Sequence, residues 1–146
     1  MGNIDIAQVL KRETDAWNAH DADGVAACYA EDAVLHDVGL PEPLQGRAAI
    51  RDSVAGYMAA FSDFRAEDVG EPIVSGNRSA QEWKVTGTHD GDLMGIPPTG
   101  KNATTYGCGT AEFGEDGLIH SAANYWNAAA LLQQLGVLPE AATATA

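Results

Sequence analysis

The stretch Gly87-Thr88-His89-Asp90-Gly91-Asp92-Leu93-Met94-Gly95-Ile96-Pro97-Pro98-Thr99-Gly100-Lys101 decides how this chain is read. It holds too much Gly and Pro for a helix. Pro97-Pro98 fixes an extended segment without backbone N–H donors, and glycines on both sides supply the turns. The runs that flank it are strand-like. Residues 81–88 (QEWKVTGT) end in β-formers, and residues 102–113 (NATTYGCGTAEF) are rich in Thr and aromatics and free of Pro. A connection this long between two strands sits at the rim of a sheet, where small-molecule sites are often built and where Gly95–Gly100 is expected to border a cavity mouth.

Outward from this loop, the two halves of the chain differ. Before Phe64 the periodicity is helical. Residues 4–20 place Ile6, Val9, Leu10 and Trp17 near helical spacing, opposite Lys11, Arg12 and Glu13. Asp23 is a candidate cap for a short helix over Val25–Ala30. Residues 33–38 (AVLHDV) read as a strand, the proline-bearing residues 39–46 as a loop, and 47–61 as a helix with Ile50, Val54, Tyr57, Met58 and Phe61 on one face. After Phe64 the pattern becomes strands: 65–71 and 73–75 divided by Pro72, a Gly76-Asn77 hairpin turn, 79–88, 102–113 and 118–126. A last helix, 128–135, ends at Gly136, which suits a C-terminal cap. Helices followed by consecutive antiparallel strands predict an α+β fold: a curved antiparallel sheet with the N-terminal helices on its concave face, forming a cone. One domain over residues 1–140 and a frayed tail over 141–146 are expected.

Composition narrows the function classes. Acidic residues outnumber basic ones 21 to 8, giving a net charge of −13 that disfavours nucleic acid and anionic membranes as partners. Cys28 and Cys108 are the two cysteines, too few for a disulfide framework, and both read as reduced thiols. No signal-peptide pattern and no apolar run of membrane-spanning length are present, so a cytoplasmic protein is expected. The four histidines show no metal-binding spacing, and neither a GxSxG elbow nor a phosphate-binding loop occurs. The expectation is a chain that works without metal or bound cofactor.

The string GTH…G…GIPPTG resembles a signature of the SnoaL-like polyketide cyclases, within the nuclear transport factor 2-like superfamily. Three more stretches support the resemblance: Trp17-Asn18-Ala19-His20-Asp21, Gly46-Arg47-Ala48-Ala49-Ile50, and Gln134-Leu135-Gly136 with Pro139. Four motifs in the family's order span residues 17–139. The resemblance implies the same cone, often a homodimer through the sheet, and a small apolar or aromatic ligand, with a polyketide intermediate as the leading substrate class.

The resemblance also places candidate residues. His36, followed by Asp37, falls where the family usually has a histidine pointing into the cone, and it is the first candidate for proton transfer. In the last strand the family reads approximately E-h-W-x-x-f-D, with an acid/base Asp; here Asn127 stands at that position and Ser121 and Ala123 at the Glu and Trp. Alternation puts Ser121, Ala123, Tyr125 and Asn127 on one face, together with Ile119. An amide cannot shuttle a proton near neutral pH, although it can donate a hydrogen bond to a carbonyl or enolate oxygen. Asn127 and His36 are therefore the catalytic candidates; Trp17, Tyr57, Trp83, His89, Ser121 and Tyr125 are the candidate substrate contacts. Aromatics at these spacings also serve as plain core, His89 also suits a loop brace, and Gly107 and Gly109 suit either a bend or room for a flat ligand. The reading is an acid/base enzyme performing an intramolecular aldol cyclisation or a related step with a relocated base. Its alternatives are a non-catalytic binding protein and a hydroxylase-type relative; epoxide hydrolysis lacks a carboxylate–Arg–carboxylate cluster.

Overall fold

The computed structural model describes residues 5–139. The tail expected to fray, residues 141–146, lies outside them. Helix α1 (Ile6–Asn18) starts at Asp5, whose side chain accepts the Gln8 N–H at 3.1 Å, and it buries Ile6, Val9 and Leu10. Helix α2 (Ala22–Ala26) is capped by Asp21 rather than Asp23. It ends early enough for strand β1 to run over Tyr29–Asp37, four residues ahead of its expected start. After the short β2 (Leu44–Gln45), helix α3 (Arg47–Ala60) turns Ile50, Val54 and Met58 into the core. Arg47 braces this start by donating from Nε to the Tyr29 carbonyl at 2.8 Å.

Strands β3 (Arg65–Ser75), β4 (Arg78–Thr88), β5 (Asn102–Phe113) and β6 (Ile119–Trp126) follow, and helix α4 (Ala128–Gln134) closes the described chain. The six-stranded sheet has the order β2-β1-β6-β5-β4-β3. It differs from the expected all-antiparallel sheet in one pairing: β1 lies parallel to β6. The chain leaves β1, forms α3 and the β3–β6 meander, and returns beside β1 in the same direction. Sequence-adjacent strands show their antiparallel turns; this long-range pairing leaves no local mark. Pro72 does not divide β3 as expected. β3 is an edge strand, where a missing N–H is tolerated, and the register shifts between Val69 and Ile73. There Gln81 donates from Nε2 to the carbonyl of Gly70 at 3.2 Å.

The Gly87–Lys101 loop is a clamp on α3. Its ends are tied by the His89 N–H to Lys101 and the Gly100 N–H to His89, both 2.8 Å. Asp90 and Gly91 both donate backbone N–H to the carbonyl of Ala60 at 3.0 Å, which satisfies the C-terminus of α3. Leu93 and Ile96 pack with Phe61 and Leu135 in a second core cluster. None of residues 88–102 reaches the cavity, so the expected rim role of Gly95–Gly100 is not met. A side chain at Gly91 would place Cβ 2.0 Å from the Ala59 carbonyl oxygen. Gly91→Ala is therefore expected to cost about 1–3 kcal/mol in denaturant unfolding. Replacing Pro97 and Pro98 by Gly is expected to lower stability as well, by about 0.4–1 kcal/mol each. Ligand affinity of both variants should stay within twofold of the unaltered protein, measured at a temperature where they remain folded.

Candidate active site

Between the concave sheet face and helices α1, α3 and α4 lies a cavity of about 190 Å³. Its wall is mainly apolar: Leu10, Trp17, Val54, Phe61, Phe64, Trp83 and Leu131 among others. Trp17 and Phe64 pack with ring centroids 5.0 Å apart. Trp83 lies over Gly107, where an added Cβ would come within 2.4 Å of the indole. The β4–β5 register runs unbroken past Gly107 and Gly109. These glycines therefore make no bulge; Gly107 makes room for Trp83.

The polar groups gather at two ends. At the first, Asp37 closes β1 and is 9% exposed. Its Oδ1 accepts the Trp126 indole N–H at 2.7 Å and the Gly39 backbone N–H at 2.8 Å. Its Oδ2 accepts only a long bond from the Tyr57 hydroxyl, 3.4 Å. Gly39 permits this approach, because a Cβ there would collide with the Trp126 indole. Burial first, and then the Asp37 charge and hydrogen bond, push the Tyr57 hydroxyl well above its usual pKa, so it remains a donor. Asn124 is the register partner of Asp37 across β1–β6, Gly109 is opposite Asn124, and Gln81 is opposite Gly109. All four line the cavity as one row across the sheet. No protein group bonds the Asn124 side chain among the described residues.

At the second end are Glu13 and Tyr29. Glu13 lines the cavity from α1, and its Oε2 is buried without a hydrogen-bond partner. Burial raises its carboxyl above the ordinary 4.5, the nearby Asp68 charge adds to the rise, and a hydrogen bond with Tyr29 works against it. Tyr29 itself is raised well above its usual range, first by burial and then by Glu13.

The candidate residues divide. Trp17, Tyr57 and Trp83 line the cavity. His36 does not: Ala33, Leu35 and Asp37 share the inner face of β1, and His36 is exposed on the outer one. His89 is fully buried but outside the cavity. Its Nδ1 accepts the Thr99 N–H at 3.2 Å and lies 3.0 Å from Thr99 Oγ1, which makes it a brace of the loop. Ser121, Tyr125 and Asn127 also miss the cavity, because β6 does not keep a plain alternation. β6 carries one extra residue between Ile119 and Ser121 against Phe113–Glu112 of β5. A bulge of this kind reverses which side chains face inward; Ile119, Ala122, Asn124 and Trp126 line the cavity instead. Asn127 is exposed, and its Oδ1 caps α4 by accepting the Ala130 N–H at 3.0 Å. Asn127→Asp should preserve that cap, change stability by less than about 0.5 kcal/mol, and give no gain in turnover, as unfolding and rate measurements on one preparation can check.

Sequence reasoning missed Asn124, Trp126 and Glu13, and treated Asp37 only as a neighbour of His36. The signals were present. Leu35 fixes the phase of β1 and so turns Asp37 inward. Trp126, the largest apolar side chain of β6, fixes the phase of that strand. Glu13 is four residues after Val9 and four before Trp17, on the apolar stripe rather than the charged face.

The site thus places a carboxylate and an amide inside an apolar cavity of an α+β fold. A family model described as SnoaL-like polyketide cyclase matches residues 7–135, and the chain belongs to that family. Among solved structures, it is similar to AclR from Streptomyces galilaeus, a proposed hydroxylase, at 25% identity over 94% of this chain and 84% of that one, TM-score 0.81. IdmH from Streptomyces antibioticus, a proposed polyketide cyclase, is 23% identical over 91% of this chain and 99% of its own, TM-score 0.75. A SnoaL-like protein from Jannaschia sp. CCS1 shares the fold with TM-score 0.82, at 14% identity over 95% of this chain and 98% of that one.

Proposed function

We propose that this protein is an acid/base enzyme that removes a proton from carbon beside a carbonyl of a largely apolar, polyketide-like substrate, with Asp37 as the base. The single observation that carries this reading is the asymmetry of the Asp37 carboxylate. Two short bonds pin Oδ1 and one long bond reaches Oδ2, while Asp37 lines the cavity. In the reaction, Asp37 Oδ2 takes the proton and the C–H electron pair moves onto the carbonyl oxygen as an enolate. The Asn124 amide, beside Asp37 in the sheet, is the donor for that oxygen. For cyclisation, the enolate carbon then attacks a second carbonyl carbon of the same molecule, and the resulting alkoxide recovers the proton from Asp37. Every proton and electron pair is accounted for within the substrate and one carboxyl group, so the step calls for no cofactor. The apolar walls support it by excluding water, which would quench the enolate.

The likeness to AclR keeps an oxygenation in view, since reaction of an enolate with dioxygen would begin with the same proton removal. A non-catalytic binding protein is the second reading, supported by the same three hydrogen bonds to Asp37. Deuterium exchange at the α-carbon of 2-tetralone, followed by NMR in heavy water, separates them. Accelerated exchange without oxygen consumption supports the cyclase-type enzyme, and oxygen consumption the hydroxylase. Binding without exchange leaves only the binding protein. For assembly we favour a homodimer through the outer sheet face, where Tyr106 and Tyr125 are 64% and 54% exposed; a monomer in sedimentation at micromolar concentration would overturn that part.

A further inference from the structure

We infer that Glu13 is a second recognition point, which hydrogen-bonds an oxygen at the end of the substrate remote from Asp37. The inference rests on the cavity being the substrate site, as proposed above. The separation follows from the register. Tyr29, the neighbour of Glu13, pairs with Ile119, and Asp37 pairs with Asn124. Because of the bulge, Ile119 to Asn124 faces only four residue steps of β5, Phe113 to Gly109, about 14 Å of backbone, which sets Tyr29 and Asp37 far apart along the cavity. Glu13 and Asp37 address the two ends of an elongated ligand. The intervening wall, Trp17, Val54, Trp83 and Ala111, offers apolar contact.

The chemistry at Glu13 is that of a buried polar atom awaiting a partner. A buried carboxyl oxygen without any partner is rare in a folded protein, because its desolvation goes uncompensated. Burial and then the Asp68 charge favour the protonated form of Glu13, and the Tyr29 hydroxyl works against them. A protonated carboxyl has an O–H to give and a carbonyl oxygen to receive, so it matches a hydroxyl or carbonyl oxygen. It does not match a carboxylate or phosphate, which Asp68 beside it would also repel. The substrate class that fits is therefore an uncharged, elongated molecule with an oxygen function at each end: a ketone near Asp37, and a hydroxyl or second carbonyl near Glu13.

Equilibrium binding of 2-tetralone and 6-hydroxy-2-tetralone tests this. The unaltered protein should bind the hydroxylated ketone about 3- to 10-fold more tightly. Glu13→Gln, which keeps a donor and an acceptor, should retain the preference; Glu13→Leu should erase it. Asp37→Asn should leave it in place, whatever it does to proton exchange. Persistence of the preference in Glu13→Leu overturns the inference and leaves the Asp37 reading standing. Absence of proton exchange with the preference intact does the reverse. In protein with 13C-labelled glutamate carboxyls, a Glu13 resonance moved by the hydroxylated ketone and not by 2-tetralone supports the inference without any substitution. An unmoved resonance overturns it, and failure of both ketones to bind removes both readings.

Discussion

Asp37→Asn is expected to lower enzyme-catalysed α-proton exchange by about 10²–10⁴-fold, the usual effect of losing a general acid/base. The fold should tolerate the change. The new Asn Oδ1 can still accept from the Trp126 indole and the Gly39 N–H, the two short bonds that hold the end of β1. Only the long bond from Tyr57 is lost, so the unfolding free energy should fall by no more than about 1.5 kcal/mol. KM should barely change, because the apolar wall supplies most of the binding, and the loss should appear in kcat. Trp126→Phe is the companion test. It keeps the carboxylate and removes one of the two short bonds that hold Oδ1, so a smaller loss of about 10- to 100-fold is expected. Equal exchange rates in Asp37→Asn and the unaltered protein would remove Asp37 as the base.

Glu13 should dominate the response of stability to rising pH. Burial, with Asp68 adding to it, lifts its folded pKa above the ordinary 4.5. The group then binds its proton more tightly in the folded chain than in the unfolded one. Its contribution to stability is complete below about pH 4.5 and is lost as pH rises through the folded value, because the unfolded chain ionises freely. Asp63, Asp90 and Asp116 have the opposite sign. Their carboxyls are held low by bonds from Thr88, Ser62 and Leu118 respectively, so they lose stability as pH falls. The difference between the protein and its Glu13→Gln variant isolates the first effect: the variant should lose less stability between pH 5 and pH 8. Glu13→Leu should be more stable than the unaltered protein by about 1–3 kcal/mol at pH 8, since an unpartnered buried carboxyl is removed. Stability gained at Glu13 together with selectivity lost there is the pattern of a residue kept for its ligand. Parallel pH profiles for the protein and Glu13→Gln would show that Glu13 is not buried as an acid.

Local chemistry reached the sequence reading intact. Gly76-Asn77 gave the β3–β4 turn, and the uninterrupted 102–113 run gave the whole of β5. Gly136, with φ of +77°, ends α4 as a cap glycine should. The apolar repeat in α3 found Ile50, Val54 and Met58, all buried. Turns, caps and periodicity are properties of a few neighbouring residues, and the motifs that mark the SnoaL-like family are themselves local strings. Fold class, family and the aromatic wall of Trp17, Tyr57 and Trp83 could therefore be taken from sequence.

The site depended on which face each strand turns inward, and that phase is set from outside the strand. In β1, Ala33, Leu35 and Asp37 are buried together on one face, and His36 is left outside. In β6, one extra residue beside β5 reverses the alternation, so Asn124 and Trp126 enter the cavity while Asn127 passes to the cap of α4. Since side chains alternate every residue, a one-residue shift exchanges the complete inner set for the outer one. The sequence by itself determined the α+β cone, its family and the apolar character of its pocket. Tertiary structure alone decided that Asp37 and Asn124 meet inside it, because a parallel pairing between the first long strand and the last is a contact between residues 87 positions apart.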